Sequence, residues 1–238
     1  MKKNILPAAL SSLSCTVGIL CLAVRYWLLT SGVDQKGLLI PTHPGNALSW
    51  ALAAVTVVTV AAFVLWKRPR CTTDRSPLAL LGGLCAMVAY GYMGIRLLFA
   101  GTVWHTASAV LSLGSALCLA VDTALRLKGQ RPSALLRCAP VLFYAVFLLC
   151  NYQLWTSQTQ LQSYGFQLLA LIFLMLTAYH RAAMAEAKKG SRRYPAVSCC
   201  SLFFCLAAIP GASNGLFYLF MALSTLLDGC RQAKEKSE

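Results

Sequence analysis

The sequence predicts an all-α fold, a polytopic membrane bundle of eight helices arranged as four consecutive hairpins. Of the 238 residues, 58% are hydrophobic and only 12% are charged, which is too few charges to cover a soluble domain of this length. Several apolar runs approach or exceed about 20 residues, the length that crosses a hydrocarbon core of about 30 Å. Backbone groups in lipid must be satisfied within their own segment, so these runs predict helices.

A single transmembrane domain is expected over residues 1–238. Its first apolar run follows Lys2 and Lys3. The run is too long for the apolar core of a signal peptide, and no small-residue cleavage site closes it, so we interpret it as an uncleaved span. The predicted spans cover residues 5–29, 47–66, 77–99, 103–125, 138–155, 163–179, 195–209 and 213–229.

The last apolar region, residues 195–227, is interrupted at residues 209–214. Its sequence there is Ile-Pro-Gly-Ala-Ser-Asn, and proline, glycine and asparagine together indicate a turn. One continuous kinked span would place the basic tail opposite the third basic loop. Two short helices, which either cross the membrane as a hairpin or re-enter it, would keep the basic tail and the third basic loop on the same side. We favour the hairpin.

The charge distribution predicts the orientation. The formal net charge is +14, and the 21 Lys and Arg residues, except Arg25, Lys36 and Arg96, fall at the N-terminus, in three short loops or in the tail. Short loops rich in Lys and Arg stay cytoplasmic, which predicts a cytoplasmic membrane protein with both termini inside. Such loops favour anionic lipid headgroups, or a partner membrane protein, as partners rather than nucleic acid. The three loops contain Lys67, Arg68, Arg70 and Arg75; Arg126, Lys128, Arg131 and Arg137; and Arg181, Lys188, Lys189, Arg192 and Arg193.

A recurring pattern marks the predicted outer ends of three odd-numbered helices. Residues 25–31 read Arg-Tyr-Trp-Leu-Leu-Thr-Ser, and residues 151–157 read Asn-Tyr-Gln-Leu-Trp-Thr-Ser. A looser copy, at residues 96–101, shares little beyond its arginine. We treat duplication of a helical hairpin as a hypothesis.

Arg25 and Arg96 lie just inside the outer boundaries of their spans and allow two interpretations. An arginine at the bilayer centre costs about 2.5–3.5 kcal/mol, and less toward the interface. The favoured interpretation is that both side chains snorkel to outer phosphates. The alternative is that they turn inward and bind an anion, with Asn151 and Tyr152 completing the site, because guanidinium suits carboxylate and phosphate groups.

The acidic residues are few, and none lies at the middle of a predicted span. Proton- and sodium-coupled carriers commonly place a carboxylate near the midplane, so the sequence disfavours that mechanism. Asp122 precedes Arg126 by one helical turn, which predicts an interfacial ion pair.

The sequence predicts no cofactor, no metal site and no enzymatic activity. The 11 cysteines fall mostly inside apolar runs and form no CxxC pair, so we expect small buried thiols. Hydrolase, metalloprotease and nucleotide-binding motifs are missing.

Three stretches of the C-terminal part resemble a known group of proteins. They are Leu-Trp-Thr-Ser at residues 154–157, Ser-Tyr-Gly-Phe-Gln-Leu-Leu-Ala at 163–170, and Met-Leu-Thr-Ala-Tyr-His-Arg-Ala-Ala at 175–183. This part of the chain, residues 150–238, resembles uncharacterised multi-pass membrane proteins of anaerobic Gram-positive bacteria. The resemblance implies an integral protein of a bacterial cytoplasmic membrane and carries no activity with it.

Two classes of function therefore stand as expectations. In the first, the protein binds or transports a small anionic or amphipathic ligand from the outer side through Arg25, Arg96, Asn151 and Tyr152. In the second, it is a structural or regulatory membrane subunit whose basic cytoplasmic loops contact anionic lipid or a partner protein.

Overall fold

The computed structural model describes residues 6–33, 39–40, 42–67, 77–128, 133–156, 161–187, 191 and 193–232. Within these ranges the protein is an all-α bundle of eight α-helices. They are α1 (Leu6–Ser31), α2 (Pro44–Lys67), α3 (Pro77–Leu98), α4 (Val103–Leu127), α5 (Ala134–Thr156), α6 (Leu161–Ala187), α7 (Tyr194–Ala208) and α8 (Gly215–Gln232).

Seven of the helices in the described chain are long and apolar enough to cross a membrane. The seventh is α7 together with the 3₁₀ turn Ile209–Gly211 that follows it. The apolar part of α8, Gly215–Asp228, is shorter than a full span. This is the character of a multi-pass membrane protein.

Helix α7 lies at the centre of the bundle. In the apolar stretch of α7, 72% of the residues are buried, compared with 22–39% in the other six candidate spans. It packs against α1, α2, α6 and α8. Small residues allow this close approach: Gly18 of α1 faces Leu206, where a Cβ atom would come within 2.8 Å of the leucine side chain.

Consecutive helices pack against each other in each of the four predicted pairs. Glycine and serine bring α3 close to its two neighbours. At Gly94 an added Cβ would lie 2.7 Å from Leu113 of α4, and Ser112 donates a hydrogen bond to the carbonyl of Tyr90. At Gly82 an added Cβ would lie 3.2 Å from the carbonyl oxygen of Ser224 in α8.

The chain reverses between α7 and α8. Pro210 and Gly211 form the 3₁₀ turn, and the hydroxyl of Tyr194, at the start of α7, donates to Asp228 near the end of α8. The two helices therefore pack against each other. Helix α8 runs along α3, since Arg96 contacts Ser213 and Gly82 lies beside Asp228.

The ends of several helices differ from the sequence-based boundaries, and three of these differences affect the charged residues. Helix α5 begins at Ala134 rather than at residue 138, α6 continues to Ala187 rather than ending at 179, and α4 ends at Leu127. Consequently Arg126, Arg137 and Arg181 lie in helices rather than in the predicted loops, as does Lys67 at the end of α2. Other predicted loop and terminal residues lie outside the described ranges: Lys2, Lys3, Lys36, Arg68, Arg70, Cys71, Arg75, Arg131, Lys188, Lys189, Arg192, Lys234 and Lys236.

Candidate functional site

A cavity of about 170 Å³ lies at the end of the bundle that contains the turn between α7 and α8. We call it the amide cavity because side-chain amides provide much of its polar lining. The Gln167 amide donates to the carbonyl of Gly211 over 2.6 Å, and the Asn151 amide donates to the carbonyl of Phe147 over 2.7 Å. The lining residues are Phe147, Asn151, Tyr164, Gln167, Gly211, Ala212, Ser213, Asn214 and Tyr218.

Arg25 is buried inside the bundle rather than extended to the surface. Its side chain is 3% exposed, and its guanidinium carbon lies 4.2 Å from the ring centroid of Phe166. A guanidinium over an aromatic face gains cation–π attraction when it is removed from water. Phe166 directly precedes Gln167, so Arg25 packs behind the wall of the amide cavity rather than lining it.

Arg96 and Tyr152 occupy exposed positions. Arg96 donates to the hydroxyl of Tyr92 over 3.1 Å and to the carbonyl of Ser213 over 3.4 Å, and thus reaches the rim of the amide cavity. Tyr152 is 58% exposed and is not part of the lining. Of the four predicted site residues, Asn151 therefore lines the cavity, Arg96 touches its rim, and Arg25 and Tyr152 lie outside it.

A second polar region, at the opposite end of the bundle, was not predicted from the sequence. Asp122 of α4 is 2% exposed and accepts hydrogen bonds from two arginines. Arg126 approaches one carboxylate oxygen at 2.7 Å, and Nε of Arg137 donates to the other over 3.0 Å. The predicted Asp122–Arg126 pair is present, and a second arginine, from α5, joins it at the buried carboxylate.

Asp228 of α8 provides the other carboxylate of this region. It pairs with the guanidinium of Arg181 and accepts a hydrogen bond from the hydroxyl of Tyr194 over 3.1 Å. Arg137 joins the two halves by donating to the carbonyl of Arg181 over 3.4 Å. We call the whole group the ion-pair cluster; its members are Asp122, Arg126, Arg137, Arg181, Tyr194 and Asp228.

A cavity of about 40 Å³ adjoins the ion-pair cluster, and we call it the arginine cavity. All three arginines of the cluster line it. The hydroxyl of Tyr90 donates to that of Tyr144 over 2.7 Å at its inner wall. The lining residues are Ala86, Tyr90, Leu119, Arg126, Arg137, Pro140, Tyr144, Leu174, Thr177, Ala178, Arg181, Met221 and Thr225.

An aromatic layer separates the two cavities. It comprises Tyr90, Phe143, Tyr144, Phe147 and Phe217, which are at most 5% exposed. Phe143 lies at its centre, with ring centroids 5.3–6.4 Å from those of the other four, the range in which aromatic pairs attract. Phe147 faces the amide cavity, whereas Tyr90 and Tyr144 face the arginine cavity. Helices α5, α6 and α8 contribute to both cavities.

The sequence contained a local signal for only part of the ion-pair cluster. The Asp122–Arg126 spacing is visible along one helix, but Arg137, Arg181 and Asp228 come from three other helices. A stronger signal would have been the pairing of scarce acids with basic residues at the ends of apolar runs. Charged residues there are costly unless they are paired.

Nine cysteines in the described part of the chain are free thiols. Cys21, Cys150, Cys199, Cys200 and Cys205 are buried, whereas Cys138 is exposed. Among the described residues, no group of three or more His, Cys, Asp or Glu side chains is arranged to hold a metal ion. These cysteines therefore fit small packing residues.

No protein family, curated protein or solved structure matches this chain. The functional interpretation therefore depends on the two cavities and the aromatic layer between them. The amide cavity offers neutral donors and acceptors beside tyrosines, a lining suited to a small polar or amphipathic molecule. The arginine cavity offers positive charge.

Proposed function

We propose that the protein is a binding or transport protein for a small polar or amphipathic ligand, which enters the amide cavity from the outer side. The observation that carries this proposal is the alignment of two cavities along α5, α6 and α8, with the aromatic layer between them. A carrier needs a ligand site accessible from one side and a barrier that closes the path to the other. The aromatic layer is such a barrier.

The interruption of the chain at Pro210 supports the same proposal. Short or broken helices commonly form substrate sites in membrane transporters, because unwound segments offer backbone groups to a ligand. Here the residues of the break, Gly211 to Asn214, line the amide cavity. Gln167 holds the carbonyl of Gly211 in place.

We further propose an orientation in which four helical hairpins cross a bacterial cytoplasmic membrane with both termini inside. The packing of consecutive helices and the bias of Lys and Arg toward one set of loops support it. This orientation puts the amide cavity outside and the ion-pair cluster at the cytoplasmic end, where basic loops meet anionic headgroups.

An anionic ligand in the amide cavity would be recognised through Arg96. Its guanidinium already touches Ser213 at the cavity rim, whereas that of Arg25 is stacked on Phe166. Arg96 is exposed, so a ligand carboxylate could replace its bond to Ser213 without breaking a buried contact.

Thermal unfolding of the purified full-length protein, with a panel of small carboxylates and short-chain amphiphiles, tests this function. We expect one class to raise the Tm of the wild type. Gln167→Leu should abolish the rise because it removes a lining amide, and Arg96→Ala should weaken it for carboxylates only. Tyr152→Phe, outside the cavity, should behave like the wild type.

A panel in which no compound raises the Tm would overturn the ligand-binding proposal. That result would favour the alternative, a structural or regulatory subunit whose basic loops contact anionic lipid or a partner membrane protein. An equal rise in the wild type and in Gln167→Leu would place the ligand elsewhere.

A further inference from the structure

We propose that the arginine cavity is a binding site for a phosphate group that carries one negative charge. The group belongs either to a phospholipid headgroup or to free dihydrogen phosphate, the form of inorganic phosphate that carries one charge. This site goes beyond the proposed function, since it is at the other end of the bundle and does not require that anything be transported.

The first argument is the charge balance of the ion-pair cluster. Three guanidinium groups, those of Arg126, Arg137 and Arg181, meet only two carboxylates, those of Asp122 and Asp228. The described cluster therefore carries one excess positive charge, while Arg137 is 6% exposed and the side chains of Arg126 and Arg181 are 21% and 25% exposed. A partly buried charge without a counter-charge is costly, and a monoanion in the adjoining cavity balances it.

The second argument is the supply of hydrogen-bond donors. Each guanidinium has five N–H donors. Both oxygens of Asp122 are already engaged, one by Arg126 and the other by Arg137. Within the described part of the chain, Nε of Arg126 is buried and has no hydrogen-bond partner. Tyr144 accepts the bond from Tyr90, which leaves its own proton for an acceptor in the cavity.

The third argument is the arrangement of the donors and the size of the space. The three arginines come from α4, α5 and α6 and so approach the cavity from different directions. A tetrahedral phosphate can accept from several directions, whereas a carboxylate accepts best from one fork in its own plane. The cavity of about 40 Å³ holds about three water molecules, which matches one small oxyanion rather than a whole metabolite.

The alternative interpretation is a purely structural ion-pair network. A structural network would be stabilised by its own two aspartates and would need no external anion. It would then respond to phosphate only through ionic strength, as any charged surface does. A binding site responds to phosphate at constant ionic strength and depends on the donor that has no partner.

The test is thermal unfolding of the full-length protein in an uncharged detergent, with sodium phosphate replacing sodium chloride at constant ionic strength. We expect phosphate to raise the Tm of the wild type in a saturable manner. In Arg126→Gln, the midpoint of that rise should move to about tenfold higher phosphate, since one charged donor is lost. Arg126→Lys keeps the charge but loses the fork, and should show a smaller shift in the same direction.

Two matched controls separate this site from general charge effects and from the amide cavity. Arg96→Gln removes one positive charge at an exposed position, and Gln167→Leu alters the other cavity; both should keep the wild-type response. A second arm uses nanodiscs of phosphatidylcholine with or without phosphatidylglycerol. Greater stability of the wild type with phosphatidylglycerol, reduced in Arg126→Gln, identifies the headgroup as the source, whereas a response to phosphate alone identifies the free anion.

The proposal is overturned if neither phosphate nor phosphatidylglycerol stabilises the wild type. It is also overturned if Arg126→Gln and Arg126→Lys respond as the wild type does. Because Gln167→Leu is expected to retain the phosphate response, failure of the amide-cavity proposal would leave this result unchanged.

Discussion

Asp122 of α4 and Arg137 of α5 form a buried ion pair, in which Nε of Arg137 donates to the carboxylate over 3.0 Å. The pair joins two helices that are neighbours in the bundle, and the exposed fractions of the two residues are 2% and 6%. Removing one partner of a buried pair costs about 3–5 kcal/mol because the other charge is left uncompensated.

We therefore expect Asp122→Asn to lower the free energy of unfolding by about 3–5 kcal/mol. Adding Arg137→Met should recover part of that loss, since no unpaired guanidinium then remains at α5. Chemical unfolding in detergent of the wild type, the two single variants and the double variant gives the unfolding free energies of a double-mutant cycle. Strictly additive effects of the two substitutions would show that the pair does not stabilise the bundle.

The hydrogen bond between Tyr90 and Tyr144 should hold the aromatic layer together. Tyr90→Phe leaves the buried hydroxyl of Tyr144 without its donor, so we expect a loss of about 1–3 kcal/mol in unfolding free energy. Replacing both tyrosines by phenylalanine should cost less than the sum of the single changes. Tyr26→Phe, at an exposed position, is the control and should change stability by less than about 0.5 kcal/mol. If Tyr90→Phe and Tyr26→Phe changed the unfolding free energy equally, the hydrogen bond between Tyr90 and Tyr144 would not stabilise the aromatic layer.

Gly94 should tolerate a side chain far less well than Gly91, one helical turn away. A Cβ atom at Gly94 would lie 2.7 Å from Leu113, whereas one at Gly91 would meet nothing within 4 Å. Gly94→Ala should therefore cost about 1–3 kcal/mol through overpacking, while Gly91→Ala should be neutral or stabilise by about 0.5–1 kcal/mol. Thermal unfolding compares the two variants directly. A Gly94→Ala protein as stable as Gly91→Ala would show that α3 and α4 can separate without cost.

Arg25 and Phe166 should be energetically coupled across α1 and α6. Their guanidinium-to-ring distance of 4.2 Å and the burial of both side chains predict a coupling energy of about 2 kcal/mol. The exposed pair of Arg96 and Tyr92, at 6.0 Å and joined by a hydrogen bond of 3.1 Å, is the comparison and should give about 1 kcal/mol. Double-mutant cycles with Arg→Ala and aromatic→Leu substitutions measure both. Similar coupling energies for the two pairs would contradict the burial of the Arg25 guanidinium against Phe166.

Cysteine labelling tests the proposed orientation. Cys138 is exposed at the start of α5, on the side proposed to be cytoplasmic. In a variant with Cys71 and Cys230 replaced by serine, a membrane-impermeant maleimide should label Cys138 only after the cells are opened. Thr102→Cys in the same background should be labelled in intact cells. Labelling of Cys138 in intact cells would show that the protein has the opposite orientation.

The sequence alone determined the class of the protein and the local features of its helices. The apolar runs predicted an all-α membrane bundle because lipid demands that each segment satisfy its own backbone. The break at Pro210 and the Asp122–Arg126 spacing were also readable, since a turn and an i,i+4 pair depend only on neighbours in sequence. Asn151 lines the amide cavity, and ligand binding at this end of the bundle stays a prediction.

Only the tertiary structure decided which polar groups meet. Arg25 and Arg96 both lie near the predicted outer ends of odd-numbered helices, yet Arg25 is buried against Phe166 and Arg96 is exposed. In a membrane protein the lipid-facing and core-facing sides of a helix are equally apolar, so the pattern along one helix does not reveal which side its neighbours cover. The meeting of Arg137 with Asp122 and of Arg181 with Asp228 depends on that packing alone.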